Sequence, residues 1–372
     1  MTERFKTIVV GGGQAGLAMG HELAGRGKDF VILDAADHVG DAWRNRWDSL
    51  VLFTPRSYST LPGLPMPGNP RGYPTKDEMA DYLASYAVHF RLPVRLSSKV
   101  TSLERAQDGF LVRTDQSVLE TQTVVIAAGA YQVPAVPSVA DLFSPEVRQF
   151  TPGSYKNPSG VPEGTVLVVG DGATGRQIAL ELAATHTVLL ATGRRRNVVP
   201  DLALGRSIFW WLDRLGVLDA SRESRVGRRL MARDPFPGRH LALSRLRDAG
   251  VATVPRLDRV EGKIARFEDG RRADISAVIW ATGYRDDTSW INIPAAKRSD
   301  GGVIERRGIS PVTGLYYVGR SWQWTRGSAL VLGVGKDAAY IANQVQATVA
   351  ANASTTLEQE GALVESVARP GA

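Results

Sequence analysis

Ile8-Val9-Val10-Gly11-Gly12-Gly13-Gln14-Ala15-Gly16-Leu17-Ala18 is the stretch on which the fold of this chain turns. An apolar strand runs straight into Gly-x-Gly-x-x-Gly, and a helical pattern continues through Leu23. Each glycine has its own task. Gly11 permits the tight turn, Gly13 lets backbone approach a pyrophosphate, and Gly16 lets the helix sit close to the strand. The helix N-terminus, where Gln14 and Ala15 fall, then faces the phosphates with its unbonded N–H groups. A second strand, Phe30-Val31-Ile32-Leu33, ends at Asp34. A carboxylate about 20 residues after the glycines accepts hydrogen bonds from an adenosine ribose and repels a 2′-phosphate. Glycines alone are weak evidence. Strand, helix and acid together predict a dinucleotide-binding unit.

The pattern recurs at Val166-Leu167-Val168-Val169-Gly170-Asp171-Gly172-Ala173-Thr174-Gly175, followed by a helix from Gln177 to Ala184. Here the next strand, Thr187 to Ala191, leads into Gly193-Arg194-Arg195-Arg196. Guanidinium groups suit a 2′-phosphate through bidentate, charge-assisted bonds. A charge run is usually a solvated loop, but these arginines stand where the first unit carries Asp34. Two similar units could also be a duplication that binds one ligand. The different residues after each second strand favour two ligands, FAD in the first unit and NADPH in the second.

The 372 residues, 43% of them hydrophobic, suffice for two domains with separate cores. Cysteine is absent, which excludes disulfides, Cys-ligated metals, a thiol nucleophile and the redox dithiol of disulfide reductases. No metal site is expected. The net charge of +7 fits anionic dinucleotides; no basic–aromatic alternation suggests nucleic acid. No run of about 20 apolar residues spans a membrane. The first strand begins almost at the initiator Met with no export signal before it, so a cytoplasmic protein is expected.

Further along, Gly40-Asp41-Ala42-Trp43-Arg44-Asn45-Arg46-Trp47 precedes a proline-dense stretch from Pro55 to Pro74 that reads as a long loop over a site. Thr75-Lys76-Asp77-Glu78 is a capping box opening a helix to about Phe90. Short strands are predicted around Val94–Leu96, Val100–Glu104 and Phe110–Thr114, then Val124 to Gly129. Val133 to Pro137 reads as the first domain crossing. Val278-Ile279-Trp280-Ala281-Thr282-Gly283-Tyr284 closes the second unit, a strand ends at Gly319, and Gly335 to Val345 reads as a helix. The expected class is α/β, with two nested, doubly wound Rossmann-like domains. A discontinuous FAD domain would take residues 1–160 and 285–350, the inserted NADPH domain 161–284, and a patternless tail 351–372.

With these residues in place, the chain resembles the class B flavoprotein monooxygenases, which include the flavin-containing monooxygenases and the YUCCA enzymes. The closest likeness is to bacterial YUCCA-like proteins, from Gly11 to about Val345. It rests on the two glycine motifs, Gly40-x-x-Trp43-Arg44, Ala281-Thr282-Gly283-Tyr284, and Ile208-Phe209-Trp210-Trp211-Leu212-Asp213. The resemblance implies FAD contacts at Gly11, Gly13, Gln14, Ala15, Gly16, Asp34, Gly40, Trp43, Arg44, Val100, Gly129 and Gly319. It implies NADPH contacts at Gly170, Gly172, Ala173, Thr174, Gly175, Arg194, Arg195, Thr282 and Gly283, and a substrate wall drawn from Trp210, Trp322, Trp324 and Arg326. The implied reaction inserts one oxygen atom from O2 into a small heteroatom or indole-type substrate through a C4a-(hydro)peroxyflavin. No side chain is assigned as a general base, and a homodimer is allowed.

There are departures. Thr151 stands where a linker histidine is usual, and the Phe-x-Gly-x-x-x-His signature of Baeyer–Villiger enzymes is missing. Phe53 falls where animal-type enzymes carry an Asn, and Trp290-Ile291-Asn292-Ile293-Pro294 lacks the paired-Trp motif of halogenases. The competing readings are an NADPH oxidase or acceptor reductase without oxygen insertion, a module passing electrons to an acidic carrier, and a binding protein without turnover.

Overall fold

The computed structural model describes residues 3–27, 29–193, 198–233, 236–238 and 241–367. In the first unit, β1 (Glu3–Val10) leads through α1 (Gln14–Ala24) to β2 (Phe30–Leu33). Next come α2 (Asp41–Arg44), α3 (Lys76–His89), β3 (Val94–Arg95), β4 (Val100–Ala106), β5 (Gly109–Thr114) and β6 (Val118–Ile126). The strand order is β3-β2-β1-β6-β5-β4, with Leu315–Tyr317 also pairing in parallel with β6. β1, β2 and β3 run parallel to β6, whereas β4 and β5 form an antiparallel ribbon on it.

The central strands are apolar on both faces because both faces are covered. Val9 and Ile32 pack against α1, α3 and the C-terminal helix, whereas Ile8, Val10, Val31 and Leu33 pack against the ribbon and Ile291 to Val303.

β7 (Val133–Pro134) begins the crossing, and the returning strand Tyr284–Arg285 lies antiparallel beside it. The second sheet contains β8 (Arg148–Phe150), β9 (Thr165–Val169), β10 (Thr187–Ala191), Ala252–Val254 and Ala277–Trp280. All are parallel; β10 lies between β9 and Ala252–Val254, and Ala277–Trp280 lies between β9 and β8. α4 (Ala173–Leu182) follows β9. The expected domain boundary at 160/161 therefore moves toward the N-terminus. β8 is an edge strand of the second sheet, and Ala140, Phe143 and Val147 belong to that unit's core. A three-residue strand carries too little periodicity to announce itself.

The segment after α2 ties the units together. Trp47 and Leu50 are buried in the second unit's core, and Trp43 touches the cores of both.

The C-terminal helix, Val331–Val367, starts earlier than expected and continues through most of the expected tail. Val334, Ala338, Ile341, Ala342, Val345 and Val349 form its buried stripe. Beyond this stripe the sequence loses its apolar period but stays rich in helix-favouring residues.

Thr75 and Glu78 form the predicted capping box. The Thr75 hydroxyl accepts from the Glu78 N–H at 3.2 Å, and the Glu78 carboxylate accepts from the Thr75 N–H at 2.8 Å. Thr75→Ala should cost about 1 kcal/mol. Urea denaturation should show a lower midpoint with an unchanged slope.

Candidate functional site

The first cradle is built by close packing of backbone. Gly11 has φ +106°, and a Cβ there would sit 2.6 Å from the Ala127 carbonyl oxygen. A Cβ on Gly16 would fall 1.8 Å from the Gly11 oxygen, so only glycine lets α1 approach the strand. Gly13 differs: its φ is −74°, and a Cβ there would meet nothing within 4 Å. The space in front of its Cα is open. α1 has no side-chain cap and no acid in its first turn, which leaves its first N–H groups available to an anion.

At the tip of β2, Asp34 accepts from the Gly12 N–H at 2.7 Å and the Ala36 N–H at 3.0 Å. Those bonds fix the carboxylate while leaving lone pairs for a ribose. The Ser98 N–H donates to the Asp34 carbonyl at 2.8 Å, pinning the loop that leads to Val100 at the same strand end. Trp43 reaches the first turn of α1, its Nε1–H donating to the Gln14 side chain at 3.3 Å. Gly40, at φ +94°, lies so close to α3 that a Cβ would be 2.6 Å from the Ala80 oxygen. Arg44 pairs with Asp81 at 3.0 Å, joining α2 to α3. Gly129 has φ +79°. Gly319, at φ +85°, presses on the same first turn; a Cβ would be 2.6 Å from that of Ala15. Gly335, near the start of the C-terminal helix, packs under Pro62 of the proline-dense loop.

The second cradle repeats the first. Gly170 has φ +105°, and a Cβ there would lie 2.4 Å from the Ala281 oxygen; one on Gly175 would lie 1.9 Å from the Gly170 oxygen. A Cβ on Gly172 would again meet nothing within 4 Å. α4 likewise starts without a side-chain cap or first-turn acid. Gly170, Gly172, Ala173, Thr174, Thr282 and Gly283 contribute to the wall of a cavity of about 620 Å³.

Arg194 and Arg195 lie outside the described residues. The cavity wall also includes Arg256, which the sequence reading missed. Its Nε is 3.7 Å from where a Cβ on Gly193 would be. The missing signal was register: Ala191 pairs with Val254, so the residues past both strand ends arrive together.

A buried ion pair braces this cradle. Arg176 donates to the Asp171 carboxylate at 3.1 Å, to its carbonyl at 2.9 Å and to the Leu241 carbonyl at 2.8 Å.

At the crossing, Arg46 donates to the Tyr284 hydroxyl at 2.8 Å with its guanidinium 5.6 Å from the ring centre. Tyr131 meets the same ring edge-on, and Arg320 pairs with Asp286 at 2.8 Å. In α5 (Ile208–Arg214), Ser207 caps the helix by accepting from the Phe209 N–H at 3.2 Å. Phe209 is buried and stacks on Phe53, with ring centres 6.5 Å apart, beside Tyr58. Burial and the neighbouring Asp213, to which the Tyr58 hydroxyl donates at 3.2 Å, push that phenol up to about 12.

Phe209, absent from the sequence-based wall, is thus the aromatic α5 side chain that meets Phe53 and Tyr58, with Asp213 of the same helix on the Tyr58 hydroxyl. Trp210 instead packs edge-to-face on Trp211 under Arg206. Trp322, Trp324 and Arg326 are half-buried on the loop after Gly319. The Trp322 carbonyl accepts from Arg222 at 3.2 Å, and the Trp324 ring lies 4.5 Å from the Arg307 guanidinium. Among the described residues, no group of acids and histidines could hold a metal, and no helix is long and apolar enough to cross a membrane.

Comparison with known proteins agrees with this geometry. Residues 8–201 match the family model for pyridine nucleotide-disulphide oxidoreductases. An uncharacterized oxidoreductase, CzcO-like, of Geobacillus kaustophilus is 42% identical over 91% of this chain and 97% of its own length. The probable indole-3-pyruvate monooxygenase YUCCA9 of Arabidopsis thaliana is 28% identical over 76% of each chain. Among solved structures, a flavin-containing monooxygenase from Stenotrophomonas maltophilia superposes with a TM-score of 0.78 at 27% identity, covering 93% of this chain and 99% of that one. A chain without cysteine cannot use the dithiol chemistry in the family's name. The family match over residues 8–201 and the likeness of the whole chain to these relatives place it in the pyridine nucleotide-disulphide oxidoreductase family as a flavin-dependent enzyme of the class B monooxygenase type.

Proposed function

We propose that the first cradle holds FAD, that the second holds NADPH, and that the protein transfers one oxygen atom from O2 to a small organic substrate of heteroatom or indole type. The domains assigned to this task are the discontinuous first unit and an insertion of about residues 138–283, as the sheet pairing divides them. One observation carries the reading. The two cradles agree in detail, with φ +106° and +105° at their first glycines and an open backbone at Gly13 and Gly172. That is the space a pyrophosphate needs, supplied twice.

A bound flavin supplies hydride acceptance and oxygen activation. The chain's own residues do the rest. α1 and α4 hold phosphates at their N-termini, and Asp34 takes the adenosine ribose in the acid-ended cradle. Arg256, with Arg194 and Arg195, meets a 2′-phosphate in the other. Arg46 and Tyr284 fix the first unit against the crossing strand that leads back from the second, which bears on how a nicotinamide reaches the flavin. Phe53, Tyr58 and Phe209 give an apolar, aromatic wall that suits an indole-type substrate, in keeping with the substrate named for the YUCCA relative.

The test is anaerobic reduction by NADPH and by NADH, then aeration with a panel of indoles, sulfides, amines and ketones. Oxygenated product in step with NADPH consumption supports the proposal. Prompt hydrogen peroxide with every compound would replace it with the oxidase reading. Arg194→Gln with Arg195→Gln should raise KM for NADPH by about tenfold or more, the effect of losing at least ~1.4 kcal/mol of binding. KM for NADH should hardly move, and equal effects on both would defeat the 2′-phosphate assignment.

A further inference from the structure

We propose that the groove between residues 304–311 and the C-terminal helix is a second small-molecule site, built for a carboxylate carried on an apolar body, with Arg307 as its recognition residue. This inference does not depend on the oxygenation reading. It starts from a cavity of about 620 Å³ walled by Ile304, Ile309, Pro311, Trp324 and Tyr340, with Arg307 among them.

The backbone there is unusual. Arg306 and Ile309 exchange both backbone hydrogen bonds, at 3.0 and 3.1 Å, around a two-residue turn with φ +52° at Arg307 and +82° at Gly308. Such turns want Asn, Asp or Gly in the first central position, because other side chains resist positive φ. Gly308 obeys the rule; a Cβ there would be 2.4 Å from the Tyr317 oxygen. Arg307 breaks it. A strained residue of this kind asks what its side chain does.

Its side chain is held by rings and leaves N–H capacity over. The guanidinium carbon lies 3.8 Å from the Tyr340 ring centre and 4.5 Å from that of Trp324. Both contacts set the guanidinium over the faces of the rings. The Arg307 Nε is buried without a hydrogen-bond partner, while the guanidinium charge acts on the neighbouring Asp337 carboxyl. Five donors on a half-buried fork, with aromatic rings fixing its plane, is a geometry made for a carboxylate.

The neighbouring acids do not fill that role. The Glu305 carboxylate accepts from the Gly308 N–H at 2.7 Å and faces Arg222 at 3.9 Å. Asp337 is buried, and burial pushes its carboxyl up while a Ser328 hydrogen bond and the Arg307 charge pull it down. Their presence selects the ligand. A carboxylate brings one negative charge toward Glu305 and a phosphate dianion brings two, so the monoanion is repelled less. Ile304, Ile309 and Pro311 then cover an apolar body rather than a second charge.

The experiment is calorimetric titration of the flavin-loaded enzyme with benzoate, against benzyl alcohol and inorganic phosphate. Benzoate should bind saturably, and the other two should not. Arg307→Asn removes the fork but suits the turn. It should weaken benzoate by about tenfold or more, while keeping flavin content and a melting temperature at least equal to that of the parent. Arg307→Lys, which keeps the charge without the fork, should fall between. Indifference of the parent enzyme to benzoate would overturn the proposal, as would undiminished binding by Arg307→Asn. So would a clear loss of melting temperature in Arg307→Asn with benzoate affinity unchanged, since Arg307 would then be a structural brace.

Discussion

Gly13→Val should purify as folded but colourless protein, and Gly172→Val as folded, yellow protein that NADPH scarcely reduces. Both positions have extended backbone, with φ −74° and ψ −170° at Gly13 and φ −69° and ψ −179° at Gly172, which valine adopts freely. A Cβ at either meets no protein atom within 4 Å. The protein alone therefore gives no reason for these variants to unfold. What the new side chain fills is the space above an uncapped helix N-terminus, where a pyrophosphate must come within hydrogen-bonding distance of backbone N–H groups.

A loss on the order of 100-fold in affinity, about 2.7 kcal/mol, is the expected size in each case. The readouts are the ratio of flavin to protein absorbance, the melting temperature, and KM for the nicotinamide donor. Gly16 and Gly175 are the controls. Their added Cβ atoms would strike a carbonyl oxygen at 1.8 and 1.9 Å, so those variants should lose fold and ligand together. Full flavin occupancy in Gly13→Val would mean that the first cradle is not where the pyrophosphate sits, and the two-ligand reading would fail at its base.

The contrast between Gly13 and Gly16 also shows which parts of this molecule were legible in its sequence. Both cradles, Asp34 and the Thr75–Glu78 box are local patterns, each spanning one strand, turn and helix. Spacing alone fixes the local geometry such residues adopt. The parts that escaped are those fixed by register or by packing between distant segments. β8 joins the second sheet because Arg148 to Phe150 pairs with Ala277 to Ile279, well over 100 residues away. Arg256 reaches the second cradle only because Ala252–Val254 lies beside β10.

In α5 the sequence offers four large apolar residues in a row, Ile208 to Trp211, with no periodicity to choose among them. The cap at Ser207 sets the helix phase, and that phase turns Phe209 rather than Trp210 toward Phe53. Arg46 is similar. Its value lies in Tyr284, a partner on the far side of the second unit.

The largest stability effect should come from Arg176, which no sequence pattern singled out. It occupies the first turns of α4, where an exposed arginine would be unremarkable, yet its side chain is 2% exposed and that of Asp171 6%. Three of its donors serve the Asp171 carboxylate, the Asp171 carbonyl and the Leu241 carbonyl. Arg176→Leu keeps the helix and fills similar space, but takes the arginine charge from the buried Asp171 carboxylate and the arginine donors from two carbonyls, those of Asp171 and Leu241. The expected cost is roughly 3–5 kcal/mol. For a unit of this size that corresponds to a melting shift of roughly 10 °C.

Calorimetry should show the loss in the second unit, because the pair lies wholly within it. Asp171 also stands between Gly170 and Gly172, so the variant's KM for NADPH should rise while flavin content at low temperature stays full. Removing both charges in Arg176→Leu with Asp171→Leu should recover part of the stability, since no ion is then left buried. That double variant separates two roles. If stability returns and KM does not, the ion pair is there to shape the phosphate turn rather than to hold the fold; a cost below 1 kcal/mol in Arg176→Leu would deny it either role.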